Sequence, residues 1–202
     1  MDEEDYLREQ KAEHIKYHGD EYDAFLVGGS KAGAIHSDKL SEIDGYKYYN
    51  CWLLSGNFED YYNYCKYIIH TAHPKKILLH ISTSEIAQFD REAKGDIYEI
   101  PAVMSGNSKV AEVTKFLFKN LSVSWDTITK KEDSYPIEKT GERNLTKYYA
   151  YYRDHKDTTT YYDYLMKAQV DPYLPRLING TKDKTDLVNS NISYLKKIKQ
   201  LC

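Results

Sequence analysis

The chain has 202 residues, a length that fits one domain with a substantial core. Its formal net charge is −3, so it lacks the excess of positive charge that nucleic acids attract. No apolar run approaches the roughly 20 residues that span a bilayer, and the acidic N-terminus has no signal-peptide pattern. The sequence as given indicates a cytoplasmic protein, or an extracytoplasmic one if an N-terminal anchor has been removed.

Three cysteines, Cys51, Cys65 and Cys202, show neither a CxxC pair nor any other paired spacing. We therefore expect no disulfide framework, no metal and no cofactor. Cys65 falls on the apolar face of a predicted helix, which favours a place in the core. Tyrosine is abundant, with 21 residues. Half-buried faces of helices and strands explain this abundance better than a carbohydrate-stacking surface does, because tyrosine can bury its ring while its hydroxyl stays in contact with water.

Up to residue 86 the chain alternates between strand-like and helix-like segments. Apolar runs predict three short buried strands, at residues 24–28, 47–52 and 76–81. Helices are predicted at 3–18, at 39–45, which Gly45 ends, and after Asn57, which caps a helix that Pro74 ends. This β-α-β-α-β order indicates parallel strands with crossover helices, and strand 24–28 between the other two.

We therefore expect a single three-layer α/β/α domain, with an N-terminal helix in residues 1–21, the α/β core in 22–86 and a mainly helical region in 87–202. In that region a helix opened by Ser108 is predicted to reach residue 121. A final helix is predicted to carry one apolar face, formed by Leu187, Asn191, Tyr194, Leu195, Ile198 and Leu201. Function in open parallel sheets gathers beyond the carboxyl ends of the strands, here the loops at 28–36, 54–57 and 80–84.

The stretch Gly28-Gly29-Ser30 follows the first predicted strand directly. Glycines allow a tight turn there, and a serine on such a turn can be an exposed nucleophile whose own N–H helps to form an oxyanion hole. The same stretch also fits an anion-binding turn or a helix N-cap. Neither GxxxxGK[ST] nor GxGxxG is present, so a nucleotide site is only weakly indicated.

Three blocks in order resemble the SGNH/GDSL hydrolase superfamily: "YDAFLVGGSKAGAI", "YYNCWLLSGNFEDY" and "KKILLHIS". They are most similar to its cell-envelope branch, which includes the D-alanine transfer protein and the alginate acetylation proteins. The resemblance covers roughly residues 20–86 and implies an SGNH/flavodoxin-like fold. It also implies a serine esterase or O-acyl transferase that acts on an acylated saccharide or cell-envelope polymer.

By this resemblance Ser30 is the catalytic serine, and its N–H is one oxyanion donor. Gly56, or Asn57 beside it, is the second donor. Considered on their own, Gly56 and Asn57 are adequately explained as a turn residue and a helix N-cap. Gly29 stands at a structural position where relatives carry Asp or Ser.

The third block departs from the family pattern. Relatives offer an Asn or an Asp there, whereas Ser82 or Thr83 occupies that place in this chain. His80 ends a predicted buried strand, which is typical of a core histidine. It is nevertheless the one histidine at this sheet edge that the pattern brings near Ser30.

A larger departure is the absence of the Asp-x-x-His block that supplies the base near the C-terminus of working members. Asp154 and His155 are adjacent, in a polar stretch that favours an exposed helix face. The sequence thus predicts a C-terminally truncated or shortened relative of the family. Its catalytic base would be His80, or would be supplied by a missing segment. The alternative function is a non-catalytic α/β module that binds a saccharide or a protein. A third and weaker hypothesis is that the chain is an anion-binding module.

Overall fold

The computed structural model describes residues 7–82, 85–86, 100–106, 110, 114, 137–145 and 185–201. Its strands are β1 Ala24–Gly28, β2 Tyr48–Trp52 and β3 Lys76–Leu79. Its helices are α1 Leu7–His18, α2 Ser37–Asp44, α3 Phe58–Ala72, the single turn α4 Ala102–Ser105, and α5 Thr185–Leu201. Short 3₁₀ turns lie at Gly19–Glu21 and Ser30–Ala34.

Within the described residues the strands form one parallel sheet in the order β2-β1-β3. Ala24 of β1 lies opposite Tyr48 of β2 and Lys76 of β3, and the register continues in step along both pairs. The predicted parallel pairing and the central place of β1 are thus confirmed. The chain is an α/β protein, as the alternation of segments predicted.

Apolar side chains cover both faces of the sheet. Phe25 and Val27 belong to a large cluster with residues of α1, α3 and α5. Leu26, between them, belongs to a smaller cluster with Trp52 and with Leu40 of α2. Successive strand residues point to opposite faces, so all five residues of β1 and all five of β2 are buried. This two-sided burial explains why β1 reads as a continuous apolar run. The prediction that the third strand is buried was wrong: β3 is exposed at Lys76 and half-buried over residues 77–79, at an edge of the described sheet.

The helix ends follow local sequence signals. Gly45 ends α2 in the left-handed conformation, with φ of 80°. Asn57 caps α3 in a capping box, in which its side chain accepts the Asp60 N–H and the Asp60 side chain accepts the Asn57 N–H. The helix stops at Ala72, ahead of Pro74. These three predictions are confirmed.

The last helix packs on the core as its pattern predicted. Asn191 and Ile198 of α5 are buried, and Tyr194, Leu195 and Leu201 pack against the large cluster. Cys65 is fully buried on α3, as expected. The predicted helix after Ser108 lies outside the described residues except for positions 110 and 114, which are helical, and Asp154 and His155 lie outside them as well. No helix of the described residues is long and apolar enough to cross a membrane.

Helix α1 buries charge as well as apolar surface, which explains its weak apolar stripe. Arg8 forms a two-pronged ion pair with Asp60, at 2.6 and 3.0 Å, and donates to the Leu54 carbonyl at 3.1 Å. The Arg8 residue is only 6% exposed. Paired, planar contacts of this kind fix orientation as well as distance. Arg8 therefore ties α1 to the start of α3 and to the loop before it.

Lys11, one turn further along α1, is fully buried. Its ammonium donates to the carbonyls of Asn50, at 2.6 Å, and Gly141, at 2.8 Å. It also lies 5.2 Å from the ring centre of Tyr49 and 5.5 Å from that of Trp52. Burial lowers the pKa of Lys11 to about 8, against smaller opposing effects of Cys51 and Glu142.

Replacing Arg8 by alanine is expected to destabilise the fold by roughly 3 kcal/mol, because it leaves the Asp60 carboxylate without its buried partner. Urea unfolding at neutral pH measures the change. Lys39→Ala is the matched control, since its ion pair with Glu42 is exposed at both ends and should matter little. Equal losses in the two variants would show that the Arg8 pair adds no more than a surface contact.

Lys11→Met is expected to change how stability depends on pH. Between pH 8 and 10.5 the unfolded chain keeps a proton on Lys11 that the folded chain has released, so the free energy of unfolding of the original protein rises through this window. The rise totals on the order of 3 kcal/mol relative to the Met variant. Urea unfolding of both proteins from pH 7 to 10.5 measures the difference. Parallel curves would contradict the lowered pKa.

Candidate functional site

Ser30 lies directly beyond the carboxyl end of the central strand. β1 ends at Gly28, Gly29 is extended with φ of −78° and ψ of −169°, and Ser30 begins a 3₁₀ turn. The Ser30 side chain is exposed. This is the place that parallel sheets use for ligands, and it matches the position predicted for Ser30. We call residues 29–35 the Ser30 turn.

Asn50 holds the Ser30 turn from the neighbouring strand. Its side-chain amide is fully buried and donates to the carbonyls of Ala32 and Ile35, each at 2.8 Å. The amide oxygen accepts the Trp52 N–H at 3.1 Å. A fully satisfied buried amide fixes the backbone that it contacts. Asn50 lies within the second sequence block, but no local pattern there predicts this role.

Residues 137–145, here called the strap, hold the Ser30 turn from a second side. Arg143 donates its N–H to the Gly33 carbonyl at 2.9 Å, and its guanidinium lies 4.6 Å from the ring centre of Trp52. Gly33 itself packs on the Trp52 ring so closely that a Cβ there would come within 2.8 Å of it. The Thr140 carbonyl accepts the Asn50 N–H at 2.8 Å, so the strap also covers the outer edge of β2.

The three predicted loops meet around two side chains that were not among the predicted site residues, Tyr61 and Glu85. A Cβ placed on Gly29 would collide with the Glu85 carboxylate and lie 2.8 Å from the Tyr61 hydroxyl. Tyr61 donates to the Gly56 carbonyl at 3.1 Å. The Glu85 carboxylate accepts the Ser82 N–H at 2.9 Å. Gly29, next to Ser30, is therefore joined through these two side chains to the loops of Gly56 and Ser82.

Glu85 is a buried carboxylate, only 7% exposed. Ser82 and Glu85 form a reciprocal pair, since the Glu85 N–H also donates to Ser82 Oγ at 3.3 Å. The stretch Ser82-Thr83-Ser84-Glu85 is the S-x-x-E signature of a capping box, and this signal could have located Glu85 from the sequence. Helix α5 completes the enclosure, because Asn191 donates to the carbonyls of Ile86, at 3.0 Å, and of Glu85, at 3.5 Å.

Tyr61 is fully buried between these groups. Burial raises the pKa of Tyr61, and the negative charges of Glu85 and Asp60 raise it further, against an opposing effect of Arg8. Its hydroxyl therefore keeps its proton throughout the physiological range and acts as a hydrogen-bond donor at the centre of the site.

Gly56 and Asn57 have structural hydrogen bonds. The Gly56 N–H donates to the Leu53 carbonyl at a long 3.3 Å, and the Asn57 N–H and side-chain oxygen are both used in the α3 capping box. The Gly56 N–H would have to turn away from Leu53 to serve an oxyanion. The assignment of either residue as an oxyanion donor stays a prediction.

His80 directly follows β3, with its N–H donated to the Val27 carbonyl at 2.8 Å. A Cβ on Gly28 would lie 2.8 Å from the Cβ of His80 and 2.9 Å from that of Ala32, so His80 and the Ser30 turn lie on the same side of the sheet. Its Nδ1 is buried and has no hydrogen-bond partner among the described residues. Within the same residues no hydrogen bond joins His80 to Ser30, although such contacts often tighten only when substrate binds.

One group of side chains has the composition of a metal site. Ligand atoms of His36, Asp38 and Glu142 lie within 4.8 Å of one another near the start of α2. Both carboxylate oxygens of Glu142 already accept hydrogen bonds, from the Ser37 N–H and from the Thr140 hydroxyl. The group is therefore explained by the contact between the strap and α2, and we assign it no ion.

Gly29→Ala tests how closely the site is packed. The φ and ψ angles of Gly29 are open to any residue, so the added methyl acts only through its collision with Glu85 and Tyr61. We expect a loss of about 1–3 kcal/mol in urea unfolding. Ala34→Gly, on the exposed end of the same turn, is the control for a change of turn flexibility alone. An unchanged stability in Gly29→Ala would show that the carboxylate is not held against the turn.

Comparison with known proteins adds no relative: no family model, no curated protein and no solved structure matches this chain.

Proposed function

We propose that this chain is an SGNH-like α/β/α domain that binds acyl esters at the carboxyl edge of its sheet. Ser30 is its nucleophile, as in a serine esterase or O-acyl transferase. One observation carries the proposal: Ser30 is exposed on a turn directly after the central parallel strand, and that turn is clamped by Asn50 and by Arg143. The resemblance of the three sequence blocks supports the same assignment.

In the proposed reaction Ser30 Oγ forms a bond to the acyl carbon while its proton passes to a base. The bond from that carbon to the alcohol oxygen then breaks, and the alcohol leaves with the proton. Water completes hydrolysis, whereas the hydroxyl of an acceptor completes transfer. The Ser30 N–H stabilises the oxyanion, with Gly56 as the second donor once its loop has turned. The substrate class is an acylated saccharide, a cell-envelope polymer or a small ester.

His80 is the base in this proposal. It follows the strand next to β1, it lies on the side of the sheet that carries the Ser30 turn, and its Nδ1 is unpartnered within the described part of the chain. Imidazole is the side chain that most often accepts a serine proton in catalysis. Because no hydrogen bond yet joins it to Ser30, the expected reaction is slow.

A non-catalytic module that binds a saccharide or a protein through the same edge is the second candidate. It is favoured by the hydrogen bond between the Gly56 N–H and Leu53, which occupies the second oxyanion donor. The two candidates differ in the reactivity of Ser30, because only the enzyme needs an activated hydroxyl.

We expect slow labelling of Ser30 by a fluorophosphonate probe, and weak or absent turnover of p-nitrophenyl acetate. Intact-mass spectrometry and absorbance measure the two. Ser30→Ala should abolish labelling, whereas Ser41→Ala, on α2 away from the edge, should leave it unchanged. Complete absence of labelling, together with equal binding of an O-acetylated oligosaccharide by the original protein and Ser30→Ala, would favour the binding module.

The base is tested by two histidine variants. His80→Ala should slow the labelling of Ser30 by several orders of magnitude if the imidazole takes the serine proton. His155→Ala should leave it unchanged. Full reactivity in His80→Ala with loss in His155→Ala would show that His155, and not His80, is the base.

A further inference from the structure

The two oxygens of the Glu85 carboxylate face different partners. Oε2 accepts the Ser82 N–H and so completes the capping box. Oε1 points the other way, to the space that a side chain on Gly29 would fill, beside the Tyr61 hydroxyl. The capping role explains the hydrogen bond of Oε2, but it does not explain the position of Oε1.

The burial of this carboxylate also exceeds what a cap requires. Capping glutamates work at the surface, and taking a carboxylate out of water costs free energy unless it is well bonded. Glu85 is buried because the Ser30 turn, α3 and Asn191 of α5 close around it. The carboxyl edge of a parallel sheet is where such proteins bind their ligands.

Tyr61 has one hydroxyl proton and two acceptors within reach, the Gly56 carbonyl at 3.1 Å and the Glu85 carboxylate. When Glu85 is ionised, the stronger acceptor draws the proton of Tyr61 and the Gly56 carbonyl is held less firmly. When Glu85 is protonated, it can donate to the Tyr61 oxygen, and Tyr61 then donates to Gly56. The charged groups that also face Tyr61 are Arg8 of α1 and Asp60 of α3, which form an ion pair with each other.

We infer that Glu85 is a positioning residue that couples the Ser30 turn to the Gly56 loop through Tyr61, and that its charge sets how the two are held relative to each other. The coupling follows from the contacts alone. Its effect on the reactivity of Ser30 rests on the proposed function. The two parts therefore need separate measurements.

The coupling is tested by NMR titration from pH 3.5 to 8, following the amide of Ser82, the amide of Gly29 and the carbonyl carbon of Gly56. In the original protein the three signals should move with a common midpoint. Glu85→Gln should remove that shared step. Glu142→Gln, which alters an equally buried carboxylate bonded to Ser37 and Thr140, should retain it. A Gly56 signal that does not follow Ser82 would overturn the coupling, whether or not Ser30 reacts.

The reactive part is tested by the rate of fluorophosphonate labelling of Ser30 across the same pH range. Glu85→Gln should lower the rate by about ten- to a hundredfold and leave only the pH dependence that comes from the base, since hydrogen bonds to a charged group are the stronger ones. Tyr61→Phe should change the profile in the same way, and Glu42→Gln, which alters an exposed carboxylate on α2, should match the original protein. Equal rates and profiles in the original protein and Glu85→Gln would overturn the role of Glu85 and leave the proposed function standing. No labelling of the original protein would defeat the proposed function, while the NMR titration would still decide the coupling.

Discussion

The hydrogen bonds of the buried Asn50 are the interactions on which the carboxyl edge of the sheet depends. Its amide bonds the Ser30 turn at Ala32 and Ile35, its N–H bonds the strap, and its carbonyl accepts the ammonium of Lys11. One residue in the middle of β2 thus joins α1, the turn after β1 and a segment about ninety residues further along the chain. A buried polar group stabilises the fold only if all of its hydrogen bonds are made. The positions of β2, α1, the Ser30 turn and the strap therefore depend on one another.

Charged side chains extend the same principle to the other loops. Arg8 donates to the Leu54 carbonyl as well as to Asp60, Lys11 donates to Gly141, and Glu85 accepts from Ser82. Each contact fixes a loop backbone from inside the protein rather than from its surface. Since a buried charge is unfavourable unless it is satisfied, this arrangement gives up some stability for defined loop geometry. Defined loops at the carboxyl edge of the sheet would suit the proposed acyl transfer, because its donors must be in place before charge develops.

Much of the fold could be predicted because its signals are local. Two-sided burial made β1 and β2 read as apolar runs, Gly45 and Asn57 marked helix ends, and the order of elements set the parallel pairing. The site could be predicted only in outline. Ser30 follows a strand and can be placed, whereas the roles of Asn50 and Lys11 depend on partners that no local pattern specifies. Glu85 is an intermediate case, since its capping box is local but its burial against Gly29 is not.

The two titratable side chains beside the Ser30 turn, His80 and Glu85, lie on opposite sides of the sheet. A Cβ on Gly28 and one on Gly29 would point to opposite faces of the sheet. His80 lies next to Gly28 on the face that α2 covers, and Glu85 lies next to Gly29 on the face that α3 covers. A serine can pass its proton to only one of them. The Glu85 carboxylate already accepts the Ser82 N–H and lies beside the Tyr61 hydroxyl, whereas Nδ1 of His80 has no hydrogen-bond partner among the residues that the structure describes. In the proposed reaction His80 is therefore the proton acceptor and Glu85 the group that holds the turn from the opposite side, and the two roles do not compete.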